Sequence, residues 1–198
     1  MKKKTGVYGV IYIALLCLMP FSNSVIAAAP QYIPVDAEIR YLPAYCAAKL
    51  RGIDEQRWRA IIGKDFQHLH HMCYAQNARR KARTERDEQS RQYLNSVALK
   101  EYGYMETHVS LGFALLVAVY LEKADVFWSM KQNAKAEAYY LKAIKFKPDY
   151  VKSYASYSNF LKRTGQKERA REVLEQGLKV KPASKSLKRR LKKLKDDI

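Results

Sequence analysis

Residues 143–150, AIKFKPDY, close an amphipathic run with a proline, and a near copy, GLKVKPAS, closes another at residues 177–184. Pro148 and Pro182 stand 34 residues apart. Proline has no amide donor and clashes with the preceding turn, so each marks a helix stop. A stop repeated at a fixed interval predicts a repeated supersecondary unit. Setting the two copies at an offset of 34 pairs Ala124 with Ser158, Phe127 with Leu161, Ala136 with Ala170, Tyr140 with Leu174 and Ala143 with Gly177. Small residues fall where two helices would cross closely, and bulky ones where they would interdigitate. Only 8 glycines and 6 prolines occur in 198 residues, which favours helices over a turn-rich β fold, and a hydrophobic fraction of 48% argues against disorder throughout.

The 34-residue period, the small residues at the crossings and the proline after the second helix resemble the tetratricopeptide repeat over residues 120–182. The resemblance implies an all-α fold, a short α-solenoid of helical hairpins behind an N-terminal helical extension, with the first helix of each hairpin lining a concave face. Three positions depart from the family pattern: Tyr154 replaces the first-helix tryptophan, Lys131 stands where the later copy has Gly165, and Gly177 replaces the usual alanine. Gly165 is expected to end the first helix of the later copy. Residues 184–194 resemble the capping helix that covers the last apolar face of such arrays. Because such stacks need about three units, residues 65–105 are expected to supply a further hairpin in divergent form. The resulting division is residues 1–29 as a signal peptide, 30–63 as the extension, 64–107 as the divergent hairpin, 108–183 as two repeats and 184–198 as a basic cap.

The leader reading rests on Lys2, Lys3 and Lys4, an apolar run from Val7 to Met19 and small residues at 27–29, the layout of a secretory signal. Export, to a periplasm-like compartment, is the expectation; an uncleaved inner-membrane anchor is the competing reading, although the apolar run is short against the ~20 residues that span a bilayer. With Cys17 removed, Cys46 and Cys73 form an even pair in a compartment where disulfides persist, and a bridge between them is expected. Net charge is +18, and removing the three leader lysines leaves +15, because no acidic residue precedes Asp36. Such a surplus predicts attraction to acidic proteins or an anionic envelope surface. Nucleic acid is the polyanion least available outside the cytoplasm.

In the front segment, Pro43 is expected to break a helical pattern over 36–50, and Asp54 to cap a second over 54–62. Residues 65–82 and 87–105 read as two helices of a hairpin, and 110–121, SLGFALLVAVYL, as a helix buried on most faces. The LPAYC of 42–46 with the HLHHMCYAQN of 68–77 resembles the front segment of a group of exported proteobacterial repeat proteins, a likeness that carries no activity. It implies that the paired cysteines staple this front segment to the first hairpin.

The densest chemistry is the set His68, His70, His71 and Cys73. On a helix His68 and His71 share a face while Cys73 lies on another, so this run alone does not close a tetrahedral site. A metal- or haem-handling role through His68, His71 and Cys73, which needs a reduced Cys73 or a ligand from His108, is one functional hypothesis. Covalent haem attachment lacks its C-x-x-C-H, and no phosphate loop, H-E-x-x-H or G-x-S-x-G occurs, so no cofactor and no enzyme activity are expected. The leading hypothesis follows from the repeat resemblance. Lys152, Ala155, Asn159 and Lys162 would face the groove from one first helix, and Arg189, Arg190 and Lys193 from the next. Cations beside an amide suit a carboxylate, which implies an adaptor that binds a partner protein or acidic peptide. The earlier repeat offers Leu121, Glu122 and Asp125 there, so the family's complete clamp is not present. A third reading is attachment to an anionic envelope surface through the basic tail.

Overall fold

Pro43, Gly52 and Gly63 punctuate the first helices. In the computed structural model, which describes residues 31–196, α1 (Asp36–Ile39) and α2 (Ala44–Arg51) are separated at Pro43, which sits at the N-cap of α2 with φ −57°. Gly52 ends α2 at φ +72°, and α3 (Glu55–Ile62) follows. Asp54 does occupy the N-cap of α3, but in the left-handed region and without a side-chain hydrogen bond to the helix, so its capping role is positional only. The leader reading, residues 1–29, lies outside the described residues.

The expected helix over 65–82 begins later. Residues Gly63–His68 form a 3-10 turn, and α4 runs from Leu69 to Thr84 (Leu69–Thr84). The reason is tertiary: the buried Asp65 carboxylate accepts hydrogen bonds from Ser110 N at 3.0 Å and Ser110 Oγ at 2.5 Å. Phe66 is buried beside it under the cations of Lys49 and Arg59. The same bond corrects the apolar stretch at 110–121. With Ser110 anchored to Asp65, residues 110–115 make tight turns, Phe113 goes inward and Leu111 stays exposed. Between them runs α5 (Glu88–His108), capped by Asp87, whose carboxylate accepts from Ser90 N at 2.7 Å.

From there the chain repeats. α6 (Leu116–Ser129), α7 (Asn133–Phe146), α8 (Val151–Arg163) and α9 (Lys167–Val180) pack in sequence, each on the next, and α10 (Lys185–Asp196) packs on α8 and α9. The 34-residue period holds at the level of single hydrogen bonds. Gln132 N donates to Phe127 O at 2.9 Å and Gln166 N to Leu161 O at 2.8 Å; Lys131 N donates to Trp128 O and Gly165 N to Lys162 O. Both sets are Schellman closures, which need a left-handed residue just after the helix. Gly165 supplies it at φ +83° and Lys131 at φ +60°, where an L side chain is held at a cost of about 1–2 kcal/mol.

Packing follows the paired positions. Ala136 and Ala170 are fully buried, as are Ala124, Ala143 and Tyr140, so the small residues stand where the helices approach. Leu187 and Leu194 of α10 are buried against the last hairpin, as a cap requires. The structure is all-α among the described residues, with α4 and α5 forming a further antiparallel pair ahead of the repeats. No helix among the described residues is long and apolar enough to cross a membrane.

Polar contacts fasten the extension to α4. Cys46 and Cys73 are joined by a disulfide with Cα atoms 5.6 Å apart, and Gln76 Nε2 donates to Tyr45 Oη at 2.7 Å. The buried Asn77 amide donates to Tyr32 O and to Glu38 Oε2, while Arg80 and Lys81 both pair with Glu38. Burial alone would raise the Glu38 carboxyl, yet the hydrogen bonds from Lys81, Val35 N and Asn77 hold it below the usual value.

Candidate functional site

A first helix and the cap that follows it diverge enough to leave a cleft. α8 contributes Ser158, Asn159 and Lys162, α10 contributes Arg190, Lys193 and Leu194, and Ala170 and Leu174 of α9 form the floor. The opening holds about 110 Å³, room for one side chain or carboxylate rather than for a drug-sized ligand. Its geometry follows from the sequence. Asn159 and Lys162 are three residues apart and share a helix face, as do Arg190 and Lys193. The register is fixed by Leu187 and Leu194, whose burial turns the basic side of α10 outward and towards α8.

Of the groove residues expected from the sequence, Asn159, Lys162, Arg190 and Lys193 come together. Lys152 and Arg189 are exposed on the same two helices but do not line the cleft. Ala155 is buried at the α8 packing surface and offers nothing to the groove. The cleft therefore gathers three cationic groups and one amide over an apolar floor, a set that can donate several charge-assisted hydrogen bonds to a carboxylate.

Upstream, the acidic pair at the corresponding helix is already occupied. Arg79 of α4, largely buried, bonds to Glu122 and, at 2.8 Å, to Asp125 of α6. Burial would lower the Arg79 guanidinium, but the two carboxylates outweigh it and raise it further. Asp125 also accepts from Tyr140 Oη of α7; burial of that phenol, with Asp125 beside it, pushes the Tyr140 hydroxyl far above its ordinary value. The carboxylates that make the earlier repeat unlike the later one thus serve as struts between helices. Nothing in the local sequence marked Arg79 as their partner, since the contact closes across 43 residues or more.

The histidine set assembles differently from the expectation. Cys73 is fully buried and in the disulfide, so the ligand set His68, His71 and a reduced Cys73 is not formed. His68, His71 and His108 gather instead around Tyr104 at the end of the α4–α5 pair, while His70 packs on His71 and Tyr74. His71 and His108 each stack on Tyr104, with centroids 3.7 Å and 3.8 Å away, and His68 Nδ1 lies 3.2 Å from Tyr104 Oη. His71 Nδ1 is 2.5 Å from the buried Glu101 carboxylate. Burial, followed by the neighbouring His71 and Lys49, lowers His70 below the ordinary histidine value. Among the described residues no three His, Cys, Asp or Glu side chains are placed to hold one metal ion. The stack packs a helix end; the four-residue spacing of Tyr104 and His108 was its only local signal.

Against known proteins, residues 117–150 and 151–184 each match the family described as the tetratricopeptide repeat. A search of the curated proteins found no match.

Proposed function

With residues 117–184 of this chain forming two tetratricopeptide repeats, a scaffold for protein–protein interaction, we propose that it acts outside the cytoplasm as a non-catalytic adaptor for an acidic segment of a partner protein. The observation that carries the reading is the convergence of Asn159 and Lys162 from α8 with Arg190 and Lys193 from α10 over one cleft. A carboxylate there meets an amide donor and cations from two helices at once, so charge and geometry reinforce each other. The basic leader, its apolar run and the Cys46–Cys73 bridge support export, because disulfides persist in oxidising compartments and are rare elsewhere.

The test is binding of a fluorescein-labelled peptide ending in six glutamates, read by anisotropy at two salt concentrations. Charge reversal at Arg190 and Lys193 should weaken binding at least tenfold. The same reversal at Lys152 and Arg189, which lie outside the cleft, should cost far less. Equal losses from both pairs, vanishing in moderate salt, would mean a diffuse attraction to anionic surface and would defeat the adaptor reading.

A further inference from the structure

The second helices of the two repeats leave a groove on the other side of the stack. α7 and α9 both pack on α8, and the space between them is floored by Tyr154 and bounded by Pro148 at one end. Leu141 and Ile144 stand on the α7 wall and Val180 on the α9 wall, around an opening of about 670 Å³. Leu141 is 48% exposed and Val180 41%, two branched aliphatic side chains facing water across the same groove. Both lose water-exposed apolar surface if a partner covers the groove, which favours association there.

Charge identifies the cover. Lys142 and Lys145 line the groove and no carboxylate does; Lys142, half exposed, shares Glu106 behind the wall with Lys123, a set that stays net positive. A second copy of this chain would bring another +18 to a lysine-edged surface, and the basic residues of α10 are equally unsuited to it. A groove with walls on two helices and an aromatic floor matches a rod, not a flat bilayer. We propose that the α7–α9 groove is a docking site for an amphipathic helix of a partner protein, one with aliphatic side chains along one face and aspartates or glutamates beside them. Such a helix would set apolar side chains at i, i+3 or i+4 and i+7 between Leu141 and Val180, with its acids against Lys142 and Lys145. This site is separate from the cleft between α8 and α10, so two segments of one partner, or two partners, could be held at once.

The probe is a labelled 18-residue helical peptide with leucines on one face and glutamates elsewhere, compared with a scrambled peptide of the same composition. Binding to the full chain should be at least tenfold tighter for the amphipathic order. It should fall at least tenfold in Leu141→Glu and in Ala138→Trp, which fills the groove from an exposed position, and remain unchanged in Arg190→Glu. Circular dichroism checks that each variant keeps its helices. Equal binding of the scrambled peptide, no binding of either, or a loss produced by Arg190→Glu instead of Leu141→Glu would overturn the proposal. So would sedimentation showing that Leu141→Glu dissolves a dimer of this chain, or vesicle flotation showing that it releases the chain from anionic lipid. Because Arg190→Glu reports on the other cleft, failure here leaves the acidic-tail reading untouched, and the converse holds.

Discussion

A methyl group at position 177 has nowhere to go. A Cβ placed there would lie 2.7 Å from Tyr154 Cγ and 2.8 Å from Leu187 Cδ1, distances that packed atoms do not tolerate. Gly177 thus stands where the family has alanine because the Tyr154 ring and Leu187 of the cap both press on the position. Gly177→Ala gains about 1 kcal/mol in helix propensity and loses about 1–3 kcal/mol to overpacking. We expect a net loss of up to about 2 kcal/mol in chemical denaturation; a variant more stable than the parent would show that α9 and α10 can shift apart freely. The period alone aligned Gly177 with Ala143, but the reason for glycine lay in two residues from other helices.

At the scale of elements, the staple between α2 and α4 is the contact to break. The Cys46–Cys73 loop spans 27 residues, and constraining an unfolded chain of that length stabilises by about 3–4 kcal/mol. Replacing both cysteines by serine should lower the melting temperature by several degrees, and hydrogen exchange should rise first in α1 to α3. The repeats should keep most of their protection, because α6 to α9 pack chiefly on one another and on α5. Uniform loosening through α9 would show instead that the extension and the repeats unfold as one unit. Much at this scale was legible: Pro43 divides α1 from α2, α5 begins beside Asp87, and Gly165 closes α8. The starts of α4 and α6 were not, because a single pairing, Asp65 with Ser110 across 45 residues, displaces both from where their apolar patterns begin.

Across the whole molecule, carboxylates bridge successive helices. Glu106 of α5 accepts from Lys123 of α6 at 2.5 Å and from Lys142 of α7, with Tyr139 Oη at 3.1 Å. Glu137 of α7 joins Tyr157 of α8 to Arg169 of α9. Burial would raise both carboxyls, yet these donors outweigh it and hold each below 4.5. A carboxyl depressed by folding adds stability above its unfolded value and loses it as pH falls through the folded one. The stack should therefore weaken below about pH 4.5. Glu106→Gln leaves Lys123 without its charge partner in a site where it is nearly buried, at a cost of about 3 kcal/mol at pH 7. It should also flatten the acid limb of a stability–pH curve, and an unchanged limb would mean that Glu106 does not govern it.

What the sequence by itself determined is what short-range periodicity encodes: helices, their stops, the 34-residue unit and the small residues at its crossings, because each is set by neighbours within a turn or two. It also placed Asn159 beside Lys162 and Arg190 beside Lys193, since three-residue spacing puts each pair on one helix face. Only the tertiary structure decided which pairs meet. It joined those two faces across one cleft and left Lys152 and Arg189 outside, turned Glu122 and Asp125 into struts for Arg79, and gathered His68, His71 and His108 around Tyr104. It also opened the groove between α7 and α9, which are joined chiefly through α8, and no local pattern records that gap.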